Sequence, residues 1–378
     1  MKIGIVCQST TGGSGILATE LGLALAERGS EVHFISMEAP FRLRCFAQNV
    51  FSHSVDVINY PLFKLPPYSL ALASKISEVA EEFNLEIVHA HYAVPNAVAA
   101  LLARDMLPPE KRFCLVTTLH GTDITLVGGH PSFYRATRYA MEKSCAVTAV
   151  SNWLNKETKR EFNLSGTVHT IYNFLDGNKF APQQGNCDVL AKSDEKIVMH
   201  ISNFRPVKRV TDVVRVFKKI VDILPARLVM VGDGPERLAA SGVAKQLGIT
   251  EHIQYLGNCD NIEDILPCAD LVIQPSEHES FGLVPLEAMS CEVPVIVTAS
   301  GGITEVVAHG ETGYLCEVGD IETMAEHAVA LLLHPDQARE MGRKARAHVL
   351  KHFSRDAIVD QYETLYREVL ARKNNDSR

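Results

Sequence analysis

Residues 271–290 read LVIQPSEHESFGLVPLEAMS, and their pattern predicts a strand followed by a helix. Its first four residues are an apolar run typical of a parallel strand that is covered on both faces. The residues from Gly282 to Ser290 have the length and composition of a helix, and a polar turn separates them from the strand. A strand that leads through a short turn into a helix is half of a βαβ unit, so the stretch predicts a parallel sheet.

The same alternation extends outward over almost the whole chain. In the first half the predicted strands are Lys2–Val6, Glu31–Ile35, Ile87–His91, Cys114–Leu119, Ala146–Val150 and Val168–Ile171. The predicted helices between them are Ile16–Arg28, Ser69–Phe83 and Asn96–Met106. After Pro182 the pattern restarts with strands at Ile197–Ile201, Arg227–Val231, Ile253–Leu256, Leu271–Gln274 and Pro294–Thr298. Its predicted helices are Val210–Ile223, Pro235–Gly248, Ile262–Leu266, Gly282–Ser290, Ile321–His334, Gln337–Lys351 and one from Arg355 to about Arg372.

Two such series, joined by right-handed crossovers, predict an α/β protein with two doubly wound, Rossmann-like parallel-sheet domains that face a central cleft. We expect the first domain at residues 1–172, the second at 173–354, and a C-terminal helix in 355–378 that packs back on the first domain. The polar segment Pro182–Glu195 predicts a linker or surface loop.

Composition excludes several classes of protein. The chain has 378 residues, 46% of them hydrophobic and 22% charged, which argues against a mostly disordered protein. With 37 Lys and Arg against 45 Asp and Glu, the net charge of −8 disfavours nucleic-acid and anionic-membrane partners. The N-terminus lacks the features of a signal peptide, and Pro95 and Asn96 interrupt the longest apolar run, so we expect a cytoplasmic protein.

Nine cysteines occur at irregular spacing, with no CxxC pair. This pattern predicts buried, reduced thiols rather than a disulfide framework or a zinc site.

Glu279 in the turn at 275–282 and Glu287 in the helix after it are eight positions apart, with seven residues between them. Carboxylates accept hydrogen bonds from sugar diols, and the free N–H groups of Gly282 and Leu283 at the helix start suit a phosphate. For Glu287 alone, a glutamate that only favours the helix dipole is an equally good interpretation.

Three further turns suit an anion. Gly12–Gly15 lies between the first strand and first helix, and a tight turn without a ligand explains it as well as a binding loop does. Ser202–Arg209 places Arg205, Lys208 and Arg209 where a strand ends, as a diphosphate site requires, although a solvated basic turn is the alternative. For Val231–Pro235, a phosphate-facing loop and a plain turn are equally supported.

His120 stands in the sequence HGTD after a strand, where a histidine can bind a ligand or transfer a proton, although a lone histidine is more often structural. His89 and His91 should face the same side of a strand, but no third ligand for a metal is apparent.

Together, GGSG, HGTD, the basic turn, VGDGP and ESFGLVPLE resemble the family-4 retaining glycosyltransferases of the GT-B fold, whose E-x7-E signature ends at Glu287. Within that family, strings such as GGSGILATELG, IVHAHYAVPNA and SNFRPVKRVTDVVRVF resemble the members that transfer N-acetylglucosamine from UDP-GlcNAc to the hydroxyl of L-malate, the first step of bacillithiol biosynthesis. The resemblance implies a bacterial enzyme that retains the α-anomer by a front-face reaction and closes around its donor without a metal or cofactor.

The resemblance also implies roles for individual residues. Glu287 would hold the ribose and Glu279 the donor sugar, His120 would lie beside that sugar, and Lys208 with Arg205 would neutralise the diphosphate. Gly13, Gly232, Gly282 and Leu283 would contribute to donor binding. Relatives carry Gly-Arg where this chain has Ser202-Asn203, so either Asn203 or Arg205 contacts the phosphates. By the same resemblance, the groups expected around the malate dianion are Ser14, Lys64, Tyr92, Thr118 and Arg138.

Three other functions stay open on the sequence: a family-4 transferase with a lipid or polysaccharide acceptor, a UDP-GlcNAc 2-epimerase-like enzyme, and a non-catalytic nucleotide-sugar-binding regulator. The first long helix has no basic cluster, which weighs against a membrane-docked enzyme. The E-x7-E string favours a transferase over an epimerase. Relatives are often dimers, so a homodimer is a further expectation.

Overall fold

A computed structural model of the chain describes residues 1–8, 12–40, 43, 47–58, 64–182 and 187–376. The strands, in chain order, are β1 Lys2–Val6, β2 Glu31–Ser36, β3 Val50–Ser54, β4 Ile87–His91, β5 Cys114–Leu119, β6 Ala146–Ala149, β7 Val168–Thr170, β8 Lys196–Ile201, β9 Ala226–Val231, β10 Ile253–Gly257, β11 Leu271–Gln274, β12 Val295–Thr298 and β13 Tyr314–Cys316. The α-helices are α1 Gly13–Glu27, α2 Tyr68–Phe83, α3 Val98–Met106, α4 Thr122–Thr125, α5 Pro131–Lys143, α6 Asn152–Phe162, α7 Val210–Val221, α8 Arg237–Gln246, α9 Ile262–Ile265, α10 Leu283–Ser290, α11 Ile321–Leu333, α12 Pro335–His352 and α13 Arg355–Asp376.

These elements divide into two units, each built on one parallel sheet. The first unit comprises Met1–Asn173 and the C-terminal residues from Asp356, and the second comprises Phe174–Arg355. Strand order is β3-β2-β1-β4-β5-β6-β7 in the first sheet and β10-β9-β8-β11-β12-β13 in the second. The order therefore reverses between β1 and β4 and between β8 and β11, and ligands of doubly wound sheets bind beyond the carboxyl ends of strands at such points.

Burial explains why these runs form parallel strands. All residues of β4, β5 and β11 are buried, as expected for strands covered by helices on both faces. The apolar face of α7, which includes Val213, Phe217 and Ile220, packs into the core of the second unit. Removing this much apolar surface from water is the main favourable term in folding.

The prediction of two doubly wound, Rossmann-like domains is confirmed, and every predicted strand is present within one residue at each end. Two edge strands were not predicted. In β3 most side chains are exposed or half-buried and polar, and β13 has three residues, so neither produces an apolar run. The polar, amphipathic helices α5 and α6 were missed because their buried positions are few.

A disulfide joins Cys187 and Cys268, whose Cα atoms are 5.4 Å apart, so the prediction of reduced thiols throughout is wrong at this pair. The two residues are 81 positions apart and lie in separate short helical turns that the fold brings together, which residue spacing does not reveal. The free thiols in the described part of the chain are Cys7, Cys114, Cys145, Cys259, Cys291 and Cys316, whereas Cys45 lies outside it.

Helix α13 belongs to the first unit and buries two tyrosines there. Tyr366 is fully buried, and its hydroxyl lies 2.7 Å from Nδ1 of His89 in β4. At the surface, Arg28 forms ion pairs with Asp360 at 2.5 Å and with Asp356 at 3.3 Å. No helix in the described ranges is long and apolar enough to cross a membrane.

The variant Tyr366→Phe tests how much the hydrogen bond between Tyr366 and His89 contributes to the packing of α13 on the first unit. Removing the hydroxyl leaves the buried Nδ1 of His89 without its partner, which we expect to lower the free energy of unfolding by about 1–3 kcal/mol. Urea unfolding followed by the fluorescence of Trp153, the single tryptophan and a residue of α6, reports on this unit. Tyr139→Phe is the control because Tyr139 is 47% exposed, and equal midpoints for both variants would contradict the assignment.

Candidate active site

The loop after β5 is held by one buried carboxylate. Asp123 is 2% exposed, and its Oδ1 accepts hydrogen bonds from the backbone N–H groups of His120 at 3.0 Å and Gly121 at 2.9 Å. Its Oδ2 accepts a third bond, at 3.1 Å, from the N–H of Ala93 after β4. Burial raises the pKa of Asp123 to about 6, although the backbone donors oppose the rise. This carboxylate therefore fixes the position of His120 relative to the end of β4.

His120 is oriented by a second histidine that the sequence analysis treated only as half of an unconvincing metal pair. Nε2 of His120 lies 2.9 Å from Nδ1 of His91, and the two rings stack with centroids 5.1 Å apart. Burial lowers the pKa of His120 to about 3 and holds that of His91 well below its ordinary value. Both rings are therefore neutral near pH 7, and one donates its N–H to the other.

Below this pair lies a fully buried polar network. Nε2 of His89 is 2.6 Å from Oγ1 of Thr118, which is in turn 2.6 Å from Oγ1 of Thr148. Thr118 is 1% exposed, and its predicted contact with the acceptor stays a prediction. The network joins strands β4, β5 and β6 to Tyr362 and Tyr366 of α13.

Two of the other predicted acceptor groups lie together beside His120. Oγ of Ser14, in the first turn of α1, donates to the hydroxyl of Tyr92 at 2.9 Å, and the Tyr92 ring lies 5.2 Å from the His120 ring. Gly13, predicted for the donor, is exposed at the first position of the same helix. The start of α1 and the end of β4 thus converge on His120.

Lys64 and Arg138 are placed differently. Lys64 is exposed in a loop, and 41% of the Arg138 side chain is exposed on α5, where its Nε donates to Glu142 at 2.8 Å. The predicted roles of both cations at the acceptor stay predictions.

In the second unit, Lys208 and Glu279 form an ion pair. Nζ of Lys208 lies 2.6 Å from Oε1 of Glu279, with 19% and 15% of the side chains exposed. The loop that carries Glu279 is held against residues 300–302: the N–H of Gly302 donates to the Glu279 carbonyl at 2.7 Å. At Gly301, where φ is +81°, a Cβ would lie 2.2 Å from that carbonyl, so only glycine permits the approach.

The rest of the basic turn is ordered by His200, which the sequence analysis missed. Nε2 of His200 lies 2.8 Å from Oγ of Ser202, and burial lowers the pKa of His200 to about 4. Arg209 is paired with Asp212, whereas Asn203 and Arg205 are exposed. In this turn Lys208 and Arg209 are each paired with a carboxylate, and Arg205 is exposed.

Gly232 has a packing role in its turn, and its predicted role in donor binding stays a prediction. Its N–H donates to the carbonyl of Gly257 at 2.7 Å and is not available to a phosphate. With φ at +109°, a Cβ at this position would lie 1.8 Å from the carbonyl oxygen of Ser202. The structure thus favours the plain-turn interpretation of VGDGP.

Helix α10 begins where the sequence predicts. Gly282 is its N-cap, with φ at +97°, and Leu283 is its first residue, so the N–H groups there have no partner within the helix. Glu287 lies one turn further on and is 7% exposed. One turn therefore combines an anion-binding helix start with a second carboxylate.

No group of three or more His, Cys, Asp or Glu in the described residues is arranged to hold a metal ion, and His89 and His91 bond to Tyr366, Thr118 and His120 instead.

Comparison with known proteins gives matches over the whole chain. Residues 11–179 match the family model described as Glycosyltransferase Family 4, and residues 187–348 match the model described as Glycosyl transferases group 1. The N-acetyl-alpha-D-glucosaminyl L-malate synthase of Bacillus anthracis is 48% identical over 378 residues, covering 99% of both chains.

Two solved structures have the same fold. Sucrose-phosphate synthase from Thermosynechococcus elongatus superposes with a TM-score of 0.81 at 21% identity, covering 98% of this chain and 99% of that chain. Anabaena HepE, solved in complex with UDP and glucose, gives a TM-score of 0.80 at 22% identity, covering 97% and 99%. These likenesses define a GT-B protein. With the family models and the Bacillus relative, they show that the chain belongs to the family-4 glycosyltransferases, and it is a glycosyltransferase.

The buried histidines predict a pH-dependent stability. Burial lowers the pKa of His89 to about 3, and it also lowers the pKa of His91 and His120. These three histidines therefore bind protons more tightly in the unfolded chain than in the folded protein. The free energy of unfolding is therefore highest above about pH 6.5 and falls as the pH drops toward 4, by roughly 1.4 kcal/mol per pH unit for each histidine. Between pH 6 and pH 3.8 the raised pKa of Asp123, about 6 in the folded protein, has the opposite effect on stability. This one carboxylate offsets only part of the loss caused by three histidines.

Urea midpoints from Trp153 fluorescence at pH 7.5, 6.0 and 5.0, at constant ionic strength, measure the effect. We expect the urea midpoint to be lower at pH 6.0 than at pH 7.5 and lower again at pH 5.0. A midpoint that stays constant down to pH 5.0 would contradict the neutral state of these rings.

Proposed function

We propose that this glycosyltransferase moves N-acetylglucosamine from UDP-GlcNAc to the hydroxyl of L-malate with retention of the α-anomer, and that it releases UDP. The observation that carries the substrate pair is the 48% identity, over 99% of both chains, with a relative named for this product. The site geometry is compatible with it, because each unit presents the chemistry that one part of the reaction requires.

In this proposal the second unit binds the donor. Glu287 accepts hydrogen bonds from the ribose diol, the N–H groups of Gly282 and Leu283 bind a phosphate, and Glu279 accepts from hydroxyls of the sugar. Lys208 then shifts from Glu279 to the diphosphate, so that its charge moves from a carboxylate to the leaving group.

The chemical step breaks the bond from the anomeric carbon to the diphosphate oxygen and forms one to the malate hydroxyl oxygen on the same face of the sugar. The proton of the malate hydroxyl passes to the departing diphosphate oxygen, so no protein base is needed. The protein contributes position and electrostatic stabilisation of the leaving group. In this proposal the positive charges of Lys208 and Arg205 stabilise the leaving diphosphate, so the reaction needs no metal.

In the first unit, His120 contributes a neutral imidazole beside the donor sugar, and Ser14 and Tyr92 supply hydroxyl groups to the acceptor. Malate is a dianion and needs charge-assisted hydrogen bonds. Lys64 and Arg138 remain the candidate cations, and Arg138 would have to exchange Glu142 for the substrate.

UDP release from UDP-GlcNAc, measured with and without L-malate and with mass spectrometry of the product, tests the substrates. We expect UDP to appear only with malate, together with a GlcNAc-malate mass, and at the same rate in EDTA. Turnover that requires a different acceptor would overturn the malate assignment and leave the family intact. An isomerised UDP-sugar without UDP release would favour an epimerase, and tight binding without any turnover would favour a regulator.

Lys208→Met tests the leaving-group role. The variant keeps the length of the side chain and loses its charge, so we expect kcat/KM to fall about 10²–10³-fold, as when one preorganised donor to the developing charge is removed. Lys219→Met is the matched control, because Lys219 pairs with Glu322 on the surface of the same unit. A Lys208→Met enzyme within threefold of the control would contradict the proposed role.

A further inference from the structure

Two free cysteines lie side by side in the first unit, outside the site described above. Cys114 is the first residue of β5, and Cys145 directly precedes β6, the neighbouring strand. The N–H of Cys145 donates to the carbonyl of Leu115 at 2.7 Å, and the Cys114 thiol donates to the carbonyl of Val369 in α13 at 3.8 Å. A side-chain interaction between the two thiols shifts the pKa of both. Cys145 is exposed, whereas Cys114 is 2% exposed.

Two cations are anchored around this pair. A guanidinium nitrogen of Arg104, at the end of α3, donates to the carbonyl of Lys143 at 3.3 Å, two residues before Cys145. Nζ of Lys373, in α13, donates to the carbonyl of Arg112, two residues before Cys114. An exposed thiol with a second thiol and two positive charges beside it is the environment in which a thiolate forms and reacts.

We propose that Cys145 is a modification site that undergoes thiol–disulfide exchange with small disulfides, and that Cys114 resolves the resulting mixed disulfide. This inference does not depend on the substrates proposed above. The pair lies at the amino ends of β5 and β6, whereas His120 follows the carboxyl end of β5, so the length of the strand, roughly 20 Å, separates the two sites.

The charge balance at Cys145 supports the proposal. The interaction with the Cys114 thiol lowers the pKa of Cys145 to about 6, and the positive charges of Arg104 and Lys373 lower it further. The same interaction raises the pKa of Cys114, which therefore keeps its proton. Cys145 is thus the attacking thiolate, and Cys114 acts second.

The exchange balances in two steps. The Cys145 thiolate attacks a small disulfide RSSR, which forms Cys145–S–S–R and expels RS⁻. The Cys114 sulfur then attacks the Cys145 sulfur, the second RS⁻ leaves, and the proton from Cys114 passes to a released thiolate. Overall the two protein thiols are oxidised by two electrons, and one RSSR is reduced to two RSH.

Full-length protein incubated with oxidised glutathione, then alkylated, digested without reduction and mapped by mass spectrometry, tests the proposal. We expect a Cys114–Cys145 disulfide in the wild type, a trapped glutathione adduct on Cys145 in Cys114→Ser, and no modification of Cys114 in Cys145→Ser. Oxidation of Cys114 in the absence of Cys145 would overturn the assignment of roles, and a persistent adduct on the wild type would overturn resolution by Cys114.

The rate of iodoacetamide labelling gives a second readout that requires no disulfide. Cys259 serves as an internal control, because it is a half-buried free thiol in the same chain. At pH 7 we expect Cys145 to react about tenfold faster than Cys259, with half-maximal labelling near pH 6, and Arg104→Met to move that midpoint upward. Equal labelling rates for the two cysteines would overturn the proposal.

Discussion

A polar side chain buried at the carboxyl edge of a parallel sheet must find its hydrogen bonds inside the protein, because leaving it unpaired costs about 1–3 kcal/mol. Two groups of hydrogen bonds in the first unit meet this constraint. Asp123 accepts three backbone N–H groups, and the hydroxyl of Thr118 joins His89 to Thr148. The loop that carries His120 has a defined position because the Asp123 carboxylate binds backbone N–H groups both in this loop and after β4.

The same constraint explains why α13 returns to the first unit. A network of histidine and threonine in β4, β5 and β6 needs a polar cover, and an apolar helix would leave Nδ1 of His89 unpaired. Tyrosine provides both a large apolar ring and a hydroxyl, so Tyr366 fills the space and completes the network. The C-terminal helix is thus a structural part of the layer that supports His120.

Much of the fold can be predicted from the sequence, because buried parallel strands are continuous apolar runs and glycine or polar turns mark their ends. The candidate site is harder. The local turns that place Glu279, Gly282 and Glu287 follow from contiguous residues, but the partner of His120 does not. His91 lies 29 positions away and is joined to it only through the pairing of β4 with β5.

Two glycines show a second limit of prediction from sequence. Gly232 and Gly301 both occupy turns beside strand ends, which the sequence cannot distinguish from phosphate loops. Each is required because a carbonyl of a distant turn, Ser202 or Glu279, lies where a Cβ would be. A glycine that admits a ligand and one that admits another backbone have the same local signature, and only the tertiary contact separates them.

The net charge of the chain does not show how charges are distributed in the second unit. The chain carries a net charge of −8, yet the turn after β8 holds three cations within five residues. Arg209 is neutralised by Asp212 and Lys208 by Glu279, so two of these three cations are paired with carboxylates. A diphosphate that binds Lys208 would leave the Glu279 carboxylate without its ion-pair partner. A sugar hydroxyl that donates a hydrogen bond to Glu279 would then replace that partner. Binding of phosphate and of sugar would thereby be linked through one ion pair, since each compensates for the partner that the other removes.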